Sequence, residues 1–190
     1  MRVLLSLAVC LIASVLAVFP DEAYQVDYHH ALLGLPQQQT TFFHQPYANS
    51  KASLIYTLSE HGVIGAVNPK DGSLVWRQFF SSDSNGTDGF LKAGEGQTAI
   101  VSATSDVIAA WSASEGRLIW EARPGGGKVK DLEILESNAI EAADGVKDAV
   151  AVIGDGPTYV KRLDGKTGKT LWTYTDERQV PVVDNPYEMC

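Results

Sequence analysis

The stretch Ala66-Val-Asn-Pro-Lys-Asp-Gly-Ser-Leu-Val-Trp76 is the first of three similar copies in the chain. The other two are Ala110-Trp-Ser-Ala-Ser-Glu-Gly-Arg-Leu-Ile-Trp120 and Val160-Lys-Arg-Leu-Asp-Gly-Lys-Thr-Gly-Lys-Thr-Leu-Trp172. Each copy follows an apolar run and places a Gly four residues before a Trp. The Trp residues recur at roughly 44 to 52 residues, a period typical of repeat architectures and, at this length, of propeller blades.

The segments before each Trp predict strands. They are short runs rich in β-branched, aromatic and aliphatic residues, punctuated by Gly, Asp, Asn and Pro. No helical period is found inside the repeats. We therefore predict an all-β chain with four-stranded blades at about 40–80, 90–123 and 128–176. A propeller ring closes with about four to eight blades, so three blades form a partial propeller whose ring is not closed.

The Gly and Trp of each copy have separate structural roles. Glycine supplies the positive φ that a tight turn needs, so it is expected to hold the turn before the closing strand. Tryptophan buries a large area and can fill the space between neighbouring twisted sheets. The predicted structural residues are Gly72, Trp76, Gly116, Trp120, Gly168 and Trp172. Trp111 lies on a third strand, and the sequence does not settle which face it occupies.

The first seventeen residues have the pattern of a secretory leader. One basic residue, Arg2, precedes an apolar stretch that ends in Val15-Leu-Ala17, and polar residues follow soon after. We predict a signal peptide over 1–17. Of the two cysteines, Cys10 lies in this leader and Cys190 is the last residue, so we expect no disulfide framework. Residues 22–33 are predicted to be a strand that completes a blade.

The chain is acidic, with a formal net charge of −8 and no Lys/Arg stripe. Nucleic acid and anionic lipid both require clustered positive charge, so neither is an expected partner. Asn85-Gly-Thr87 fits the acceptor pattern for N-glycosylation. An acidic insertion over 128–147 is expected to be a solvated loop, with an acidic contact surface or a cation site as the alternative.

Two segments resemble the end of a phosphate-binding loop, Gly165-Lys-Thr167 and Gly168-Lys-Thr170. That loop needs a Gly five residues before its last Gly and a helix directly after it. Where the two segments would need that Gly, this chain has Val160 and Leu163. A strand pattern follows them in place of the helix. We expect turns here, and neither a nucleotide nor another small-molecule substrate.

Catalytic and metal sites are not expected either. His29 and His30 are adjacent, and neighbouring strand residues face opposite ways, so they cannot chelate one metal without a bend. No nucleophile elbow is found for serine hydrolysis. The prediction is a protein that is not an enzyme, with no catalytic residues, no metal ligands and no cofactor.

The repeat, an apolar strand followed by (Asp/Asn)-x-x-x-Gly-x-x-x-Trp, resembles the quinoprotein-type β-propeller repeat. The copy at 163–172 is the nearest to that pattern, and the second copy departs from it with Ser112 at the Asp/Asn position. The repeat occurs in quinone-dependent alcohol dehydrogenases, in a bacterial outer-membrane assembly lipoprotein and in the lumenal domains of unfolded-protein stress-sensor kinases.

The segment after the leader, Val18 to Gly34, together with the first repeat, resembles the start of the family of subunit 1 of the endoplasmic reticulum membrane protein complex, in a fungal-type version. The resemblance implies a non-enzymatic scaffold on the lumenal side that supports insertion and folding of client membrane proteins. It also implies partners, namely other subunits of that complex and the remainder of the chain's own propeller, and a membrane anchor in the full-length family. Two alternatives stay open, the lumenal sensor domain of a stress kinase and a fragment of a quinone-dependent dehydrogenase.

Overall fold

The computed structural model describes residues 32–37, 39–46, 53–80, 89–136 and 146–175. The predicted leader, most of the segment 22–33, Asn85 and residues 137–145 lie outside these ranges. The described residues form three four-stranded antiparallel sheets, and none of them is helical. The strands are β1 (Phe42–His44), β2 (Leu54–Leu58), β3 (Val63–Val67), β4 (Leu74–Phe79), β5 (Gly89–Lys92), β6 (Ala99–Thr104), β7 (Val107–Ser112), β8 (Leu118–Ala122), β9 (Val129–Ile134), β10 (Ala149–Ile153), β11 (Tyr159–Leu163) and β12 (Thr170–Thr175).

Each sheet is a meander of four consecutive strands, here called blade A (β1–β4), blade B (β5–β8) and blade C (β9–β12). β2 contacts β5, and β5 contacts β9, so the early strands of consecutive blades lie together. This arrangement confirms the predicted fold class, an all-β partial propeller without a closed sheet.

Strand pairing assigns every side chain to one of the two faces of its blade. In blade A, Tyr56 pairs with Ala66 and Ala66 with Trp76, so the three side chains share one face. This face packs against the next blade in the chain, and we call it the forward face; the opposite face is the back face.

The forward faces of blades B and C follow from the same pairing. Val101 pairs with Ala110 and Ala110 with Trp120 in blade B. In blade C the same positions are Val150, Arg162 and Trp172.

Two apolar clusters lie between the blades and hold them together. The forward face of blade A and the back face of blade B form one of them, and blades B and C form the other in the same way. Fully burying a large apolar side chain contributes about 1.5–3 kcal/mol, so packing between blades makes a large contribution to stability. The large residues of the two clusters include Tyr56, Ile64, Trp76, Leu91, Ile100 and Trp111 in the first, and Ile108, Trp120, Leu132, Ile153 and Leu163 in the second.

The turn before each outer strand has the same backbone structure in all three blades. The N–H of Gly72, Gly116 and Gly168 donates to the carbonyl of the residue four positions earlier, at 2.9, 2.8 and 2.8 Å. The three glycines have φ of 69°, 67° and 69°, in the left-handed region that disfavours other residues. A register shift in the pair of strands that the turn joins accompanies each turn.

β9 occupies part of the segment that the sequence suggested to be an acidic loop. Val129 and Leu132 are buried against blade B, whereas Lys130, Asp131 and Glu133 are exposed. Residues 129–134 are therefore strand, because burial of two apolar side chains outweighs the charged residues, which remain in solvent.

Candidate functional site: the seams between blades

The seam between blades A and B is built around Trp76. This side chain is 8% exposed, and its Nε1 donates to the carbonyl of Ala113 in the turn of blade B, at 2.9 Å. The Tyr56 hydroxyl donates to the same carbonyl at 2.9 Å, so both lone pairs of that oxygen are used. A methyl group placed on Gly116 would overlap the Trp76 ring. Glycine is therefore required at position 116 for two reasons: the backbone has a positive φ, and the Trp76 ring leaves no room for a side chain.

The seam between blades B and C repeats this geometry. Trp120 is 7% exposed, and its Nε1 donates to the carbonyl of Gly165 at 2.7 Å. A methyl group on Gly168 would overlap the Trp120 ring. Ala113 and Gly165 both stand three residues before their turn glycine, so the acceptor has the same place in both blades.

Trp172 has a different environment from the other two repeat tryptophans. It is 44% exposed, and all six residues of β12 are exposed. The reason is that none of the described residues forms a blade against the forward face of blade C. The packing of Trp172 between blades therefore stays a prediction.

Trp111 belongs to the back face of blade B, which answers the question that the sequence left open. Its Nε1 donates to the Ser102 hydroxyl at 2.8 Å, within the same blade. The ring makes an edge contact with Phe80 at 5.8 Å between centroids. Trp111 and Trp76 belong to the same apolar cluster, where Trp111 comes from blade B and Trp76 from blade A.

A polar chain runs through all three blades beside the apolar clusters. His44 of β1 lies 2.7 Å from the carbonyl of Gln97, and since a carbonyl only accepts, the His44 Nε2 carries the hydrogen. The buried Gln97 side chain accepts from the Gly94 N–H at 2.8 Å and donates to the Lys147 carbonyl at 3.4 Å. Gln97 in blade B therefore links strand β1 of blade A to a loop of blade C.

The Lys147 side chain is buried and pairs with Glu136, which also accepts from the Glu95 N–H at 2.9 Å. The hydrogen bond from Lys147 holds the pKa of Glu136 below its ordinary value. A buried ammonium without such a partner would be costly, so the pair stabilises this side of the seam.

A polar cleft lies at the end of blade C. Arg162 and Asp148 form an ion pair at 2.6 Å between Nη2 and Oδ2, and Asp148 Oδ1 accepts from the Gly165 N–H at 2.8 Å. These residues, with Asp164 and Lys166, line a cavity of about 160 Å³. The cavity has room for small polar groups, and both positive and negative side chains line it.

Carboxylates close two of the repeat turns. The Asp164 Oδ1 accepts from the hydroxyl and the N–H of Thr167, at 2.7 and 2.8 Å. The hydrogen bond from the Thr167 hydroxyl is the main cause that lowers the pKa of Asp164. The Ser73 hydroxyl donates to Asp71 Oδ1 at 2.7 Å, and this hydrogen bond is the main cause that lowers the pKa of Asp71. Both carboxylates are thus ionised and bound at neutral pH, which favours the turn conformation.

Within the ranges that the structure describes, no three His, Cys, Asp or Glu side chains come together as metal ligands. The same ranges contain no helix of the length and apolar character needed to span a bilayer.

The sequence interpretation missed the partners that share these seams. Tyr56, His44 and Gln97 each act across a blade boundary, on residues 50 to 57 positions away in the chain. The apolar run that contains Tyr56 predicted a strand. It gave no signal for the carbonyl that the Tyr56 hydroxyl would meet.

The fold and its seams define a partial β-propeller made of quinoprotein-like blades. A family model described as the EMC1 N-terminal beta-propeller domain matches residues 17–184. Because the match spans most of the sequence, the chain belongs to this family. The resemblance inferred from the post-leader segment and the first repeat is thereby confirmed. No curated protein sequence matches the chain.

Solved structures with a similar fold include designed and natural proteins. The computationally designed protein Ika4 has a TM-score of 0.50 and 15% identity, covering 79% of this chain and 79% of its own. Raptor from Chaetomium thermophilum has a TM-score of 0.53 and 21% identity, covering 73% of this chain and 12% of its own.

BamB from Moraxella catarrhalis has a TM-score of 0.42 and 17% identity, covering 77% of this chain and 37% of its own. At these identities the similarity of Ika4 and Raptor shows the fold alone. The chain spans 35% of the designed protein Ika8, so it is much shorter than several of the proteins it is similar to.

Proposed function

We propose that the chain is a non-enzymatic scaffold domain of subunit 1 of the endoplasmic reticulum membrane protein complex, on the lumenal side of the membrane. In this role it supports the insertion and folding of client membrane proteins. The family match over residues 17–184 is the observation that carries the proposal.

The use of the repeat residues supports a structural role. Trp76, Trp120, Gly116 and Gly168 all serve packing between blades. The family match also favours this function over a stress sensor or a quinone-dependent dehydrogenase.

The partners in this proposal are other subunits of the complex and the remainder of the chain's own propeller. The test of the first is co-purification: the tagged native protein is isolated from detergent-solubilised microsomes, and its bound proteins are identified by mass spectrometry. We expect the other subunits in stoichiometric amounts. Recovery of the protein alone under conditions that keep the rest of the complex intact would contradict the proposal.

Location and modification have their own test. We propose that the leader 1–17 directs the chain into the lumen and that Asn85 carries a glycan. In intact microsomes the chain should resist added protease and become sensitive when detergent opens the membrane. Endoglycosidase should shift the native band but leave Asn85→Gln unchanged. Digestion without detergent would disprove the lumenal location, whereas protection without a glycosidase shift would disprove only the glycan.

A further inference from the structure

The segment that joins blades B and C, residues 123–128, contains three consecutive glycines; we call it the B–C connector. Glycine-rich segments behave as flexible chains when nothing fixes them. Here Gly125, Gly126 and Gly127 have φ of 73°, 96° and 113°, in a region that other residues rarely adopt. Because such a segment has little conformational preference of its own, its path depends on the contacts it makes with the two blades.

One end of the B–C connector is fixed to the β6–β7 turn of blade B. Arg123 Nη1 lies 2.9 Å from Asp106 Oδ2, in an ion pair whose side chains are 62% and 49% exposed. The Val129 N–H, directly after the connector, donates to the Ser105 carbonyl at 2.6 Å. Exposed ion pairs contribute little to stability, so the backbone hydrogen bond is the firmer of these two contacts.

Blade C holds the middle of the connector through the side chain of Lys161, in β11. The Lys161 Nζ donates to the carbonyls of Pro124 and Gly125, at 2.6 and 3.0 Å. It also lies 5.5 Å from the centre of the Tyr159 ring, a distance at which a cation and an aromatic face attract each other. Gly126 lies so close to the same ring that a methyl group there would overlap it. One ammonium and one ring thus define the path of the first two glycines.

The last part of the connector lies against the β10–β11 turn of blade C. A methyl group on Gly127 would overlap the backbone nitrogen of Asp155, and the Gly154 N–H donates to the Lys128 carbonyl at 2.9 Å. Both contacts are made to backbone atoms. They therefore depend on the path that the glycines take and not on a particular side chain.

Lys161 is used differently from Lys147, the other half-buried or buried lysine of blade C. Lys147 pairs with the carboxylate of Glu136, whereas Lys161 gives its N–H groups to backbone carbonyls of the connector. The strand register gives the corresponding position of blade B to Ala109, which is fully buried. The fold of a blade therefore does not require a lysine at this position, and the contacts of Lys161 point to the connector as the reason for it.

We propose that the B–C connector is a latch, and that the positive charge of Lys161 holds it closed against blade C. Hydrogen bonds from a charged donor are stronger than those between neutral groups, so the two bonds from Nζ offset conformational entropy that the glycines lose. Without that charge we expect residues 123–128 to detach from blade C while both blades stay folded. The latch depends on contacts inside the chain alone, so its test is independent of the proposed function.

Limited trypsin digestion of the isolated native protein tests the latch, because Lys128 directly follows the glycines and trypsin cleaves after lysine. A closed latch protects this bond. Lys161→Met keeps a long side chain without its charge, and we expect it to speed cleavage after Lys128 by about tenfold, as for the loss of a charged hydrogen bond. An unchanged rate would overturn the proposal. So would an equal increase after Arg77 in β4 and Lys92 in β5, since that result reports general unfolding.

Two further variants separate the charge from other effects of the substitution. Lys161→Arg keeps a positive donor at the same position and should be cleaved after Lys128 at the rate of the unchanged protein. Lys169→Met removes an exposed lysine from the turn before β12 of the same blade and should also leave that rate unchanged. If either variant were cleaved as fast as Lys161→Met, the charge at position 161 would not be what closes the latch.

Discussion

At the scale of single residues, the turn glycines combine a backbone requirement with a packing requirement, and the two can be measured apart. Gly116 and Gly96 have φ of 67° and 66°, but only Gly116 lies against a ring, while nothing lies within 4 Å of a methyl group on Gly96. We expect Gly96→Ala to cost about 1–2 kcal/mol of unfolding free energy from backbone strain. Gly116→Ala should cost about 1–3 kcal/mol more, because the methyl group displaces Trp76. Equal costs in urea denaturation would show that the ring contact is unimportant.

The repeat tryptophans give a second matched pair. Trp120→Ala removes a buried ring and leaves the Gly165 carbonyl without its donor, so we expect a loss of about 3–5 kcal/mol. Trp172→Ala changes a half-exposed ring on an open face and should cost about 1 kcal/mol or less in this chain. Urea denaturation followed by circular dichroism measures both. Similar losses for the two variants would mean that Trp172 is already covered.

Tyr56 makes the free energy of unfolding depend on pH in the alkaline range. Burial in the seam raises its pKa from 10.0 to about 12, because the charged phenolate would be desolvated there. The folded protein therefore binds this proton more tightly than the unfolded chain does. Its contribution is complete below pH 10 and falls as the pH rises toward 12.

We therefore expect the unfolding free energy to decrease over this alkaline interval, and Tyr56→Phe to decrease less steeply from a lower starting value. The starting value should be lower by about 1 kcal/mol, because one hydrogen bond is lost. The slope of unfolding free energy against pH is the measurement. An unchanged slope in Tyr56→Phe would assign the alkaline transition to other groups.

At the scale of elements, Gln97 makes hydrogen bonds across both seams, to strand β1 of blade A and to a loop of blade C. It is fully buried, and Gln97→Leu would leave the Gly94 N–H and the Lys147 carbonyl without their partners. We expect a loss of about 1–3 kcal/mol in unfolding free energy. Gln78→Leu, on the exposed part of β4, is the control and should change it by about 0.5 kcal/mol or less. If both variants unfold alike, the chain of hydrogen bonds does not couple the blades.

The elements also show where sequence reasoning succeeds. The turns and outer strands were predictable, because a positive-φ glycine and a large ring have strong, local requirements. The inner strand β5 has only four residues, and three of the six residues of β9 are charged. Their conformation is fixed by pairing with β6 and β10, so the decisive contacts come from other segments.

The seams were predictable only in outline, again for a physical reason. The sequence indicated that each Trp would need a neighbouring sheet, and Trp76 and Trp120 lie in such positions. The atoms that receive their N–H groups are 37 and 45 residues further on, and they are backbone carbonyls. Any residue has such a carbonyl, so no residue type identifies it in advance.

At the scale of the whole molecule, the open face should make blade C the first part to open. In a stacked repeat each unit is stabilised by its own strands and by its neighbours. Among the described residues, blade C has a neighbouring blade on its back face only. β6 is buried at every residue and lies between two strands, whereas β12 is exposed at every residue and pairs with β11 alone. Local opening costs least where buried contacts are fewest.

Amide hydrogen exchange of the purified chain, followed by mass spectrometry, should therefore be slowest in β6 and β7. β12 should exchange faster than β8, although both are outer strands, because Trp120 anchors β8 to the turn of blade C and nothing described anchors Trp172. Trp120→Phe, which removes the anchoring donor and part of the buried ring, should bring the exchange rate of β8 closer to that of β12. Equal protection of β8 and β12 in the unchanged chain would show that the neighbouring blade contributes little, and that each blade is stabilised mainly by its own strands.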